Sequence, residues 1–293
     1  MRAIVGARIL SGYWRYRPVQ AGTAFTGRRK AMLRSLDSLI GYGIQATDGP
    51  VGTVRDFLFD DQAWVVRYMV ADTGKWLPGR KVLIVPSALE RPEWDRRSLP
   101  VALTRRQVEN GPDLSEDQPV SRQHEIDLHH HYAWDPYWLA YAGADGAAPF
   151  PLTDAPAHPP ESSPAAGTPR DPHLRSGKEV EGYHVKATDG EIGHVEDFIL
   201  DDEGWVIRYV VVDTRNWLPG KKVLVSPEWF DAVSWAAQKV TVDISREGVR
   251  NSPSYDPSRP INREDEGILY DYYGRPAYWQ EVLEKTGATV GHW

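Results

Sequence analysis

The segment Trp64–Pro86, WVVRYMVADTGKWLPGRKVLIVP, returns as Trp205–Pro227, WVIRYVVVDTRNWLPGKKVLVSP. The offset of 141 residues holds without a gap from Leu33–Trp138 to Leu174–Trp279. A repeat this long is a duplicated domain, not a solenoid unit of about 20–50 residues. Whatever the first repeat folds into, the second must fold into as well, and each becomes a control on the other. A residue present in both serves the shared fold or a shared surface. A residue present in one cannot belong to chemistry that both perform.

A chain of 293 residues has room for two domains of about 100–150 residues. The expected division is a basic segment at 1–32, a first repeat at 33–141, a linker at 142–172, a second repeat at 173–279 and a tail at 280–293. The linker is dominated by Pro, Ala, Gly and Ser, which cannot bury enough apolar surface to offset the entropy of ordering. The N-terminal segment carries Arg2, Arg8, Arg15, Arg17, Arg28, Arg29 and Lys30 and no acid before Met32. Three readings stay open for it: a targeting peptide, a basic arm for an anionic partner, or a true start at Met32. The net charge of −7 argues against general nucleic-acid binding. The absence of cysteine excludes disulfides, thiol nucleophiles and Cys-ligated zinc, and fits a reducing cytoplasm. No apolar stretch approaches the ~20 residues needed to span a bilayer, so any membrane contact is expected to be peripheral.

Inside each repeat the pattern is strand. Asp48-Gly49 and Asp189-Gly190 are tight-turn dipeptides between apolar-rich runs, the mark of a hairpin. Asp60-Asp61 and Asp201-Asp202 predict a second turn. The run after it alternates, with Trp64, Val66, Tyr68 and Val70 on one face and Val65, Arg67, Met69 and Ala71 on the other. The WLPG turn, a short strand ending at Pro86, a strand around Val101–Leu103 and a helical turn capped by Thr104 complete the unit. The prediction is a mainly β chain: two small antiparallel β-barrels in tandem, each followed by a short helix and an aromatic-rich tail. In the tails, Arg122, Glu125, Tyr132, Tyr137 and Trp138 align with Arg263, Glu266, Tyr273, Tyr278 and Trp279. Aromatics repeated that far from the strands suggest tails that dock, either on their own barrel or on another chain.

The elements TDG-x-x-G-x-V-x-DFLFDD, W-x-x-RY-x-V-x-DT, WLPG-x-KVL-x-x-P and V-x-L-T resemble the PRC-barrel family over Leu33–Val108 and Leu174–Val249. The family includes the cytoplasmic domain of the H subunit of purple-bacterial photosynthetic reaction centres and the C-terminal domain of a ribosome maturation factor. The resemblance implies a binding and assembly module, not a catalyst, whose partner is another protein. A second expectation by analogy is a peripheral component of a reaction centre or another membrane complex.

Candidate sites are few. His124, His129, His130 and His131, with Glu125, Asp127 and Asp135, carry metal-ligand chemistry. Adjacent histidines on a flexible stretch do not converge on one ion, however, and the second repeat has Asp265 and Asp271 in place of His124 and His130. The run reads as a solvated polar stretch, and no metal or cofactor is expected. The groups Asp56/Asp60/Asp61 and Asp197/Asp201/Asp202 could do acid–base work or hold Ca²⁺, but Asp is also a favoured turn residue. Arg67 and Arg208 are expected to pair with Asp56 and Asp197 on neighbouring strands. No phosphate loop, nucleophile elbow or HExxH is present. Candidate partner contacts are therefore Trp76, Leu77 and Lys81, their counterparts Trp217, Leu218 and Lys222, and the tail residues Tyr137, Trp138, Tyr278 and Trp279.

Overall fold

The computed structural model describes residues 32–112, 120–138, 173–215, 218 and 220–280. The N-terminal basic segment and the Ala142–Pro172 linker lie outside the described residues.

The first repeat supplies β1 (Leu33–Ser35), β2 (Gly43–Ala46), β3 (Gly49–Asp60), β4 (Val65–Asp72), β5 (Val82–Ile84), β6 (Ser98–Pro100), α1 (Arg105–Glu109) and α2 (Arg122–Tyr132). The second supplies β7 (Leu174–Ser176), the one-turn helix α3 (Gly177–Val180), β8 (His184–Ala187), β9 (Gly190–Asp201), β10 (Val206–Asp213), β11 (Lys222–Val225), β12 (Phe230–Ser234), β13 (Lys239–Val242), α4 (Arg246–Asn251) and α5 (Arg263–Tyr273). The strands join in one 13-stranded sheet. Its path, β12-β13-β8-β9-β10-β4-β3-β2-β6, runs through the second repeat and then the first, with β1 on β9, β11 on β10, β5 on β4 and β7 on β3.

The sheet is mixed, which corrects the antiparallel expectation. β2 pairs with β6 and β8 with β13 in parallel. In each repeat the chain after β5 or β11 passes through 3₁₀ turns that begin at Pro86 or Pro227. The returning strand then meets β2 or β8 from the same direction, the crossover a parallel pair requires.

The long strands are bent by paired irregularities. Register shifts fall at Arg55 and Arg67 in the first repeat and at the equivalent Glu196 and Arg208 in the second. A bulge bends its strand and re-aims the extra residue. The strict alternation expected for β4 therefore ends at Arg67, and burial is continuous from Tyr68 to Ala71. The β2–β3 hairpin closes at Ala46 opposite Gly49, so its two loop residues are Thr47 and Asp48. Asp48 accepts a hydrogen bond from the Arg105 amide at the start of α1, and Asp189 does the same for Arg246 of α4. Thr104 caps α1 in a reciprocal box with Gln107. The last edge strand is β6 rather than Val101–Leu103; Val101, just beyond it, donates to the Gln45 carbonyl and bridges Leu89.

Gly52 and Gly193 mark the tightest approaches among the described glycines. A Cβ there would lie 2.0 Å from the carbonyl oxygen of Asp72 or Asp213. Either glycine replaced by alanine must push β3 off β4, or β9 off β10. The expected result is a loss of roughly 3 kcal/mol of unfolding free energy, measured as a lower urea midpoint. A change under about 0.5 kcal/mol, within the range of ordinary surface substitutions, would show that the strands need no such closeness.

Candidate functional site

Two constructions recur in both repeats and use most of their shared polar residues. The first is a seam between the repeats. β1 of the first repeat lies on β9 of the second, with Arg34 opposite Leu200, while β7 of the second lies on β3 of the first, with Arg175 opposite Phe59. Each repeat thus gives its leading strand to the other. Ser35 donates to Asp197 and Ser176 donates to Asp56, both at 2.5 Å. Arg34 pairs with Asp202 at 2.7 Å and Arg175 with Asp61 at 2.9 Å. Between these arms the central strands meet, where Val66 donates to the Trp205 carbonyl and Ile207 to the Trp64 carbonyl. Phe59 and Phe198 touch across the join at 5.5 Å between centroids.

The six acidic residues at the turns therefore have distinct tasks. Asp60 and Asp201 shape their own turns, each accepting from two backbone amides. Trp64 and Trp205 close those turns in the left-handed region at φ 54°. Arg67 pairs with Asp60 at 3.0 Å and Arg208 with Asp201 at 2.9 Å. This corrects the expected pairing with Asp56 and Asp197, which are instead occupied by serines of the opposite repeat. The bulge at each arginine turns it back along its own hairpin. Acid is crowded at the seam: burial, then the nearby carboxylates of Asp37, Asp197 and Asp56, pushes Glu181 up to about 7. Burial also raises Asp197 to about 6, against the hydrogen bonds from Ser35 and the Asp37 amide.

The second construction is a clamp that docks each tail on its own repeat. Ser121 caps α2 by accepting from the His124 amide; Asn262 caps α5 in a capping box with Asp265. Ala133 and Gly274 end these helices in the left-handed conformation. Helical spacing then turns Glu125 and Glu266 inward, 0% and 3% exposed. Glu125 accepts from Tyr68 at 2.9 Å and Tyr137 at 2.7 Å and pairs with Arg122 at 2.8 Å. Glu266 accepts from Tyr209 at 2.8 Å and Tyr278 at 2.9 Å and pairs with Arg263 at 3.0 Å. Arg67 and Arg208 stack over the Tyr137 and Tyr278 rings, each 4.1 Å from the centroid. Burial and the adjacent carboxylate push Tyr278 up to about 12 and raise Tyr68, Tyr137 and Tyr209 as well. These hydroxyls keep their protons and act as donors to the buried carboxylates.

The histidine run proves to be helical. His130 and His131 point outward, and His129 is 4% exposed. This corrects the flexible reading of the run, and the solvated one for His129, because a 3.6-residue period carries His129 to the face that holds Glu125. Among the described residues no group of three His, Cys, Asp or Glu side chains could hold a metal ion.

Of the candidate contacts, Trp76 is half-buried under the Arg105 guanidinium, 4.5 Å from its centroid. Leu77 is buried, and Lys81 is half-buried. Leu218 is half-buried and Lys222 pairs with Glu196 at 2.6 Å; Trp217 lies outside the described residues. Tyr137 and Tyr278 belong to the clamps. Trp138 and Trp279 pack half-buried beside them, under Arg122 and Arg263. A cleft of about 140 Å³ beside α5 is lined by Leu224, Tyr255, Ile261 and Ile268 among others, below the ~300 Å³ at which small-molecule sites begin.

Sequence reasoning missed the seam. Its signal was present as the triplet Leu-Arg-Ser at Leu33–Ser35 and again at Leu174–Ser176, identical and placed just ahead of each repeat's first hairpin.

Residues 173–249 match the family model of the PRC-barrel domain. Over these residues the second repeat is similar to the PRC-barrel domain. The match runs from β7 through most of α4, so the matched region includes the exchanged arm, Arg208 and Tyr209. The outer half of the clamp, with Arg263, Glu266 and Tyr278, lies beyond the matched residues. No curated protein matches the chain. Among the described residues, no helix is long and apolar enough to cross a membrane.

Proposed function

We infer that the protein is a non-catalytic protein–protein interaction and assembly module, in which both repeats are PRC-type barrels acting as one body in the cytoplasm. The observation that carries this reading is the use of the shared polar residues. Asp56, Asp60, Glu125, Arg67 and Tyr68 and their counterparts are engaged in turns, seam and clamps, which leaves no repeated set of reactive groups facing a cleft among the described residues. The PRC-barrel match supports the same class. Independent barrels on a tether would gain avidity from effective concentration, but repeats that share a sheet and exchange strands present their surfaces together. The surface favoured for the partner is the turn after β4, where Trp76 offers a large half-buried ring, the residue type enriched at interface hot spots.

The test is capture of cross-linked protein from native lysate with the full chain and with Trp76→Ala. Wild type is expected to enrich a defined protein, and the variant to lose at least about tenfold of it, the size of a hot-spot contribution near 1.4 kcal/mol. Enrichment that is unchanged in the variant removes the turn as the contact. No enrichment by either chain removes the assembly reading.

A further inference from the structure

The two clamps differ beside the shared carboxylate. Where the second repeat has Tyr270, the first has His129, the buried histidine of α2, a side chain whose free form changes charge near neutrality. Its Nε2 lies 2.9 Å from the Tyr68 hydroxyl. That hydroxyl gives its hydrogen to Glu125, so Nε2 must carry a hydrogen and donate it to the Tyr68 oxygen. Nδ1 is then bare. It is buried without a well-formed hydrogen bond and faces the backbone of Trp134 and Asp135. The rings of Trp134, Tyr137 and Trp138 surround the imidazole at 5.9, 6.2 and 4.8 Å between centroids.

We propose that His129 is an acid-triggered release for the tail of the first repeat: protonation at Nδ1 undocks α2 and residues 133–138 from β4, while the tail of the second repeat stays docked. A second proton would place an imidazolium in this aromatic enclosure. From β4 it meets Tyr68, with Arg67 beyond the Tyr137 ring; from α2, Arg122 and Glu125; from the tail, Asp135 and Tyr137. Desolvation dominates and lowers the His129 pKa, and Arg122 adds to it. The backbone of Trp134 and Asp135 and the Asp135 carboxylate offset part of the effect. The docked value therefore lies below the released one of about 6.5. Docking is full above that pH and weakens as pH falls, by at most tenfold per unit until the docked value is reached.

Hydrogen exchange of the full-length protein at pH 7.5 and pH 5.0, corrected for intrinsic rates, tests this. Protection of α2 is expected to fall by at least threefold and at most about thirtyfold at pH 5.0, with α5 unchanged. His129→Tyr, which imports the second repeat's residue, should flatten the response. Parallel loss in α2 and α5, or a response that survives His129→Tyr, overturns the proposal. Should α2 of the variant be unprotected already at pH 7.5, nuclear magnetic resonance titration of the wild-type His129 ring decides. A midpoint below that of a free imidazole, at the lower end of the pH range over which α2 loses protection, supports release. A midpoint at or above the free value overturns it.

Discussion

A protease cut introduced between residues 142 and 172 should leave both halves migrating as a single particle, and denaturant should unfold them in a single transition. The seam predicts this outcome. Removing the first repeat would strip β9 of β1, leaving Asp197 and Asp202 without Ser35 and Arg34. It would also bare Trp205, which is 7% exposed, and Phe198, which is fully buried. Removing the second does the same to β3, Asp56, Asp61 and Phe59. Charge-assisted bonds in partly buried positions contribute about 1.5–3 kcal/mol each, and each aromatic at the join adds about 1.5–3 kcal/mol for burial. Together these exceed the ~8 kcal/mol that holds a complex at micromolar concentration, even after a substantial cost for association. Size-exclusion chromatography of the cut protein at micromolar concentration checks it. Two half-sized species, each with native circular dichroism, would show that the arms are ornaments and that each repeat folds alone.

The elements were legible where a repeated residue had a local task. Thr104 announced a helix cap, the Asp-rich turns announced hairpins, and alternation announced the strands. The clamp was half legible: Arg122, Glu125 and Tyr137 align with Arg263, Glu266 and Tyr278, and that spacing flagged a docked tail. The buried acceptor could not be read, because a glutamate followed by charged and histidine residues looks like a solvent face until the helix turns it inward. The seam was hidden for a different reason. A strand of three residues has too few alternations to show a period, and pairing between repeats leaves no local pattern. The bulges at Arg67 and Arg208 were equally silent, so each arginine's partner was misassigned by one turn of the hairpin. Local rules reach as far as contacts within an element; exchange between repeats is a long-range pairing, visible only as the echo of Leu-Arg-Ser.

Replacing Glu266 with alanine should cost about 2–5 kcal/mol, roughly 1–3 kcal/mol for each hydroxyl left without an acceptor, and free the tail of the second repeat. The carboxylate is 3% exposed and is shared by Arg263, Tyr209 and Tyr278. Its removal leaves the Tyr209 and Tyr278 hydroxyls without their acceptor, while the Arg263 side chain, 40% exposed, can turn to water. Tyr278→Phe removes one donor and leaves the acceptor served by the others, so its cost should be nearer 1 kcal/mol. The diagnostic comparison is Glu266→Ala combined with Arg263→Met. Arg263→Met alone leaves the buried carboxylate without its cation, which is worse than no pair at all, so the double variant should lose less than the sum of the two single variants. Urea midpoints for the four proteins give the coupling directly, and hydrogen exchange over 263–279 shows whether the loss is local. The sheet should remain folded in every variant, since its core packs through Phe198, Tyr209 and Val225 and not through the carboxylate. Additive losses would mean that Glu266 and Arg263 act independently, and the clamp would then be packing between aromatic rings with the ion pair as a bystander.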